Sequence, residues 1–257
     1  MIKSFFSKIL EKKHVVTAEK RLENIIDFTN EILKRESKSP SAETAIYALI
    51  RMFADKIIIQ NTIDVMSEFK TKIVGEKVSL SFESLMSKDY KAIHQLMWDS
   101  EYRTPVKTFT GDIVIDLAKD PVITSVWERT RLYWNIADIG KLDNPWKQQP
   151  INHGIHLYLP IGLSIVTGGN HSITCGMIKR TGKLVINEST LLCHVFDISN
   201  LIRTIKFDGK HYRMISDGSV AFEGANFDFG CIFEIGRMIL DNNISFPSVG
   251  TVDIDPQ

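Results

Sequence analysis

An α+β fold, with a helical N-terminal region packed on a small mixed sheet, is what the sequence predicts, and three observations carry that prediction. Over residues 1–101 apolar side chains recur at helical spacing. From Tyr102 onward the texture changes to short β-branched runs divided by Gly, Asp and Pro. Within that half, Gly168-Gly169-Asn170-His171-Ser172 joins a strand-like run to a helix-like one. The expected organisation is a helical region at 1–101, an α+β domain at 102–247 and a loosely ordered tail at 248–257.

Met1 to Val16 intersperses apolar residues with Lys3, Lys8, Lys12 and Lys13, the pattern of a short basic amphipathic helix. Such a helix ordinarily docks on its own protein; the other destination is a membrane surface. The segment has neither the continuous apolar stretch nor the small-residue cleavage site of a signal peptide. Thr17 is placed to cap a helix carrying Leu22, Ile25, Ile26, Ile32 and Leu33. Ser39-Pro40 supplies an N-cap with Pro at the first helical position, opening a helix expected to reach about Lys72. At its centre Ile57-Ile58-Ile59 is apolar on more than one face, which predicts burial between neighbours. A further helix is expected over Phe82 to Met97. This half reads as scaffold, lid or surface for a protein partner.

Thr108 to Leu117 has the alternation of a strand, with Gly111-Asp112 as a turn or bulge. Val122 to Ile136 returns to helical spacing, which would place Trp127 and Trp134 on one face of a helix also carrying Arg129, Arg131 and Tyr133. Asp143-Asn144-Pro145 marks a turn. Ile155 to Val166 reads as a strand or a strand pair interrupted by Pro160-Ile161-Gly162. A helix from Ile173 to Lys179, a turn at Thr181-Gly182-Lys183 and a strand near Leu191 to Ile198 follow. Asp208-Gly209, between Ile205–Phe207 and His211–Ile215, is a hairpin signal. Asp217-Gly218 and Glu223-Gly224 read as turns. Asn226 to Leu240 predicts a closing helix despite its two glycines.

Lys plus Arg and Asp plus Glu number 31 each, so the balanced charge leaves room for a local basic patch but not for a broad nucleic-acid footprint. No apolar run approaches the ~20 residues needed to span a bilayer, so no transmembrane segment is expected. Cys175, Cys193 and Cys231 are widely spaced and form no Cys-x-x-Cys, which predicts reduced thiols in a cytoplasmic protein.

The glycine motif carries the functional expectation. A strand ending in Ile165-Val166, then Gly168-Gly169, then a helix start lets backbone N–H groups face an anion without Cβ obstruction. The order Pro160-Ile161, strand, Gly169-Asn170-His171-Ser172, helix, Gly182 and strand resembles the core of the ParB/sulfiredoxin superfamily, over about Leu159 to Ile198. The whole chain also resembles a group of bacterial proteins sharing the G-G-N-H-S signature, a resemblance that carries no function with it. The superfamily implies a phosphate-bearing ligand, a nucleotide with Mg²⁺ or a nucleic-acid end, and phosphoryl-transfer or phosphodiesterase chemistry of a nucleotide-dependent enzyme or nuclease. On that reading His171 moves a proton or touches phosphate, Asn170 orients, and Gly168, Gly169 and Ser172 cradle the anion. Asn170 stands where sulfiredoxin has its nucleophilic Cys, so sulfiredoxin chemistry is not expected. Ser172 replaces an Arg that holds phosphate in those relatives, which leaves Arg129, Arg131 and Lys179 as the cations to substitute for it. Neither a helix-turn-helix nor a basic arm points to chromosome partition. Antiviral defence is a further role in which a small nucleotide-binding protein would fit.

Each of these residues has a plainer reading. Asn170 tolerates positive φ and Ser172 caps helices, so the motif is also good turn chemistry. Lys179 complements the end of its own helix. His153, His156, His171, His194 and Cys193 lack the spacing of a metal site, and none is expected. The loop Asn152-His153-Gly154 brings its His to the motif if it folds over it. Asp112, Asp116 and Asp120 are interrupted by turn residues, a poor geometry for a nuclease metal cluster. The alternative function is therefore a non-catalytic interaction or regulatory protein in which the motif is a structural turn.

Overall fold

The computed structural model describes residues 16–36, 45–67, 80–89, 93, 102–105 and 111–247. The basic segment up to residue 15, the Ser39-Pro40 cap, the expected helix beyond residue 67 and the tail beyond residue 247 lie outside the described residues.

Helix α1 (Ala18–Glu36) follows Thr17, whose hydroxyl accepts from the Lys20 amide at 3.2 Å, and turns Leu22, Ile25, Ile26 and Leu33 to the core. Helix α2 (Ala45–Ser67) buries Ile46, Ile50, Phe53, Ile57 and Ile58 along one face. Its centre is not enclosed as expected, because Met52, Ile59, Ile63 and Met66 are each more than half exposed on the other side. Helix α3 (Phe82–Met86) ends within the expected Phe82–Met97, of which residues 90–92 and 94–97 lie outside the described residues. Ser81 and Ser84 form a reciprocal cap at its start, and Ser87 leaves helical geometry to bridge Gly224.

The central sheet contains β1 (Thr104–Pro105), β3 (Val122–Ile123), β4 (Gly154–Leu159), β5 (Leu163–Gly168) and β7 (Cys193–Asp197) in the order β1-β7-β4-β5-β3. β4 and β5 are antiparallel, whereas β3–β5 and β4–β7 are parallel, so the sheet is mixed. A two-stranded ribbon pairs β2 (Ile113–Asp116) with β6 (Lys183–Ile186), and β8 (Ile205–Phe207), β9 (His211–Met214) and β10 (Val220–Glu223) make a third sheet. Four further helices are α4 (Arg129–Asp138), α5 (Asn170–Ile178), α6 (Ser199–Thr204) and α7 (Phe227–Asp241). The chain is α+β, as the texture of its two halves predicts. β6, α6 and β10 are short elements that the sequence reading passed over.

The expected helix from Val122 is the main correction. Val122 and Ile123 are fully buried and pair with Ser164 and Ile165, so they form a strand. Residues 124–128 are an irregular loop, and α4 starts only at Arg129. Trp127 is therefore in the loop and shares no helical face with Trp134.

Helix α7 runs through the middle of the molecule, buried on all sides over much of its length and packed on α1, α2, α6 and β8. Asn226 caps it by accepting from the Phe229 amide at 3.0 Å. Gly230 leaves room for the Phe207 ring, which a Cβ there would strike. One continuous apolar cluster joins Leu22 of α1 and Ile50 of α2 to Leu157 of β4, Phe233 of α7 and Phe246.

Candidate functional site

Gly169 caps α5 with φ +74°, and a Cβ at that position would strike the ring of His153, so only glycine makes this turn. Asn170 is the first helical residue, not the positive-φ one. Ser172 lies in the first turn rather than at the cap, and its hydroxyl donates back to the Gly169 carbonyl at 2.9 Å. Asn170 and His171 are each only 6% exposed, so both point into the protein.

Both meet the irregular loop between β3 and α4. Asn170 Oδ1 accepts from the Ser125 amide at 2.6 Å, and His171 Nε2 accepts from the Glu128 amide at 3.3 Å. Asn61 of α2 accepts from the intervening Val126 amide at 3.2 Å. The Ser125 hydroxyl accepts from the Leu80 amide, and Thr124 and Thr174 hydroxyls meet at 2.7 Å. A buried stretch without helix or ladder must find other acceptors for its N–H groups. Three side chains from α2 and α5 provide them, which is the physical reason the segment is not helical.

The loop before β4 does fold over the motif. The Gln149 amide donates to His153 Nδ1 at 3.0 Å, so the His153 proton sits on Nε2 and faces Ser172 Oγ at 2.8 Å. The Trp146 ring stacks on His153 at 5.2 Å, and its indole N–H donates to the Ser172 carbonyl at 2.8 Å. Burial depresses the His153 pKa to about 4. His171 is also shifted down, chiefly by burial and secondarily by the Arg131 guanidinium. Trp127 lies edge-on to its ring at 4.4 Å.

The remaining candidates are not gathered here. Lys179 donates its ammonium to the Ile139 carbonyl, fastening α5 to the end of α4 instead of facing a phosphate. Arg131 pairs with Glu128 at 2.7 Å, and Arg129 is exposed at the start of α4. Asp116 Oδ1 accepts from the Ala118 amide and Asp120 Oδ2 from the Asp116 amide, so these carboxylates shape a turn, while Asp112 bonds Asn187. His156 and His194 are neighbours across β4 and β7, away from His153 and His171, and no group of metal-ligating side chains occurs among the described residues. Asn61, Thr124, Ser125 and Trp146 completed the arrangement without a sequence signal, because each is joined to the motif only through tertiary contacts.

A concave feature lies between α2 and α5. It has a cavity volume of about 360 Å³ and is lined by Ile58, Ile59, Ile63, Met177 and Ile178 with Thr62, Arg51 and Arg180. Residues 7–246 match the model of a family described as "Family of unknown function (DUF6710)". The chain belongs to that family. No curated protein and no solved structure matches it. This DUF6710 member thus has two places of interest, an inward-facing polar turn and an outward-facing apolar groove. No helix among its described residues is long and apolar enough to cross a membrane.

Proposed function

We propose that this protein acts by binding, as a non-catalytic interaction or regulatory protein, with the Gly168–Ser172 turn as a structural fastening and the α2–α5 side as its binding face. The observation that carries this reading is the commitment of the motif's polar side chains to the protein itself. His171 offers Nε2 to the Glu128 amide, so it takes up a proton there only by releasing the loop. The Ser172 hydroxyl gives its proton to the Gly169 carbonyl, and the His153 nitrogen facing it already carries one. That polarity is opposite to what a base-activated nucleophile needs.

A phosphate ligand at the same turn, nucleotide or nucleic-acid end with Mg²⁺, is the competing reading. The N-terminus of α5 beside Gly169 favours it, since the helix dipole attracts anions there. Thermal unfolding of wild type and His171→Ala, with and without a panel of Mg²⁺-nucleotides, separates the two. A structural turn predicts a variant destabilised by ~1–3 kcal/mol and no nucleotide shift in either protein. A nucleotide-dependent shift that disappears in an equally stable variant would refute the structural reading.

A further inference from the structure

The α2–α5 groove combines two features that point to one kind of occupant. Its walls are apolar, formed by Ile58, Ile59 and Ile63 from α2 and Met177 and Ile178 from α5, and Ile59, Ile63 and Ile178 are each more than half exposed. Its charge is unbalanced by one. Arg51 is neutralised by Asp55 at 2.6 Å and further held by the Asp120 carbonyl at 2.6 Å. Arg180 has no side-chain hydrogen bond or ion pair among the described residues.

The conformation of Arg180 adds a separate argument. Helix α5 ends in a Schellman motif, in which the Thr181 amide donates to the Gly176 carbonyl at 2.8 Å and the Arg180 amide to the Met177 carbonyl at 3.1 Å. Arg180 is the left-handed residue of that motif, at φ +51°, a place that favours glycine. The chain therefore keeps a cation in the groove lining at a position where its side chain works against local stability.

We infer that the groove binds a small amphipathic anion, an unbranched acyl chain ended by a carboxylate or phosphate, with the chain against the isoleucines and the head at Arg180. This rests on the binding reading above and names the chemistry of its ligand. At ~30 Å³ per water-sized group, the cavity holds roughly a dozen non-hydrogen atoms, the size of a ten-carbon carboxylate.

The test is calorimetric titration of the full chain with decanoate, decyl phosphate and decanol below their aggregation concentrations. The expected result is saturable one-to-one binding of decanoate or decyl phosphate, the tighter of the two identifying the head group, with decanol at least about tenfold weaker. Arg180→Gly should weaken the anion about tenfold while its Tm equals or exceeds wild type, so misfolding cannot account for the loss. Absence of saturable binding by both anions, equal binding of decanol, or wild-type affinity in Arg180→Gly would overturn the inference. Those outcomes are distinct from failure of the structural-turn reading, which shows itself as nucleotide binding lost in His171→Ala.

Discussion

Asn170 and His171 act through single acceptor atoms. Each meets one backbone N–H of a loop that has no regular secondary structure to satisfy it. Truncating either side chain leaves a buried donor unpaired, so Asn170→Ala should cost ~1–3 kcal/mol in urea unfolding with an unchanged m-value. A second prediction at this scale concerns protons. The buried His153 has its pKa lowered from 6.5 to about 4, so between those values the unfolded chain binds a proton that the native chain does not. Its contribution to stability is complete above about pH 6.5 and is lost as the pH falls toward 4, by up to about 3 kcal/mol. His156 is lowered to about 4 as well, chiefly by burial, and contributes with the same sign. The urea midpoint should therefore fall steadily from pH 7 to 4.5, less steeply in His153→Gln; a flat wild-type profile would contradict the neutral, buried assignment. Sequence placed the Gly-Gly turn and the polar triplet at a strand–helix junction. It did not show which way the triplet faces, because the loop amides that decide this are 45 and 43 residues from Asn170 and His171 in the chain.

At the scale of elements, α7 is the part on which the others depend. Glu234, nearly buried in its middle, accepts from the Phe207 amide at 2.7 Å and pairs with Arg237 at 2.9 Å, while Arg237 donates to the carbonyls of Ile202 and Ile205. This one pair ties α7 to α6 and β8. Removing its acid strands the arginine and a buried amide, so Glu234→Ala should lose about 3 kcal/mol, and a thermal shift of less than a degree would contradict the role given to the pair. Local pattern was enough for α1, α7, the β4–β5 pair and the β8–β9 hairpin, whose capping residues and turn glycines lie beside the elements they punctuate. For the expected helix Val122–Ile136 it held from Arg129 on and failed over Val122–Glu128, where helical spacing of apolar residues lost to parallel pairing with β5 and to acceptors from other helices. β6 was missed for a related reason: Leu184 and Ile186 are two alternating positions in a four-residue strand, too short a period to recognise alone.

At the scale of the molecule, one apolar cluster spans both halves, so local opening of the helical region should be coupled to the sheet. Cys175, Cys193 and Cys231 are all buried, the last two within that cluster, and burial raises each thiol, that of Cys231 to about 12. Native protein should accordingly react with Ellman's reagent only as fast as it unfolds, releasing three thiols at once in denaturant. A thiol that reacts within seconds under native conditions would reveal independent opening of one part. The outer face of α2 contrasts with this closed interior, with Met52, Ile59, Ile63 and Met66 turned to solvent. The groove and the polar turn meet on α5, where Thr174 lines the groove and bonds both Thr124 and the Asn170 carbonyl. The central claim, that the turn holds the fold together, is tested most directly by equilibrium unfolding of Asn170→Ala beside wild type. A midpoint shift equivalent to ~1–3 kcal/mol, unaffected by Mg²⁺-nucleotides, is the predicted result. Wild-type stability in that variant, with a nucleotide-dependent stabilisation present only in the wild type, would contradict it.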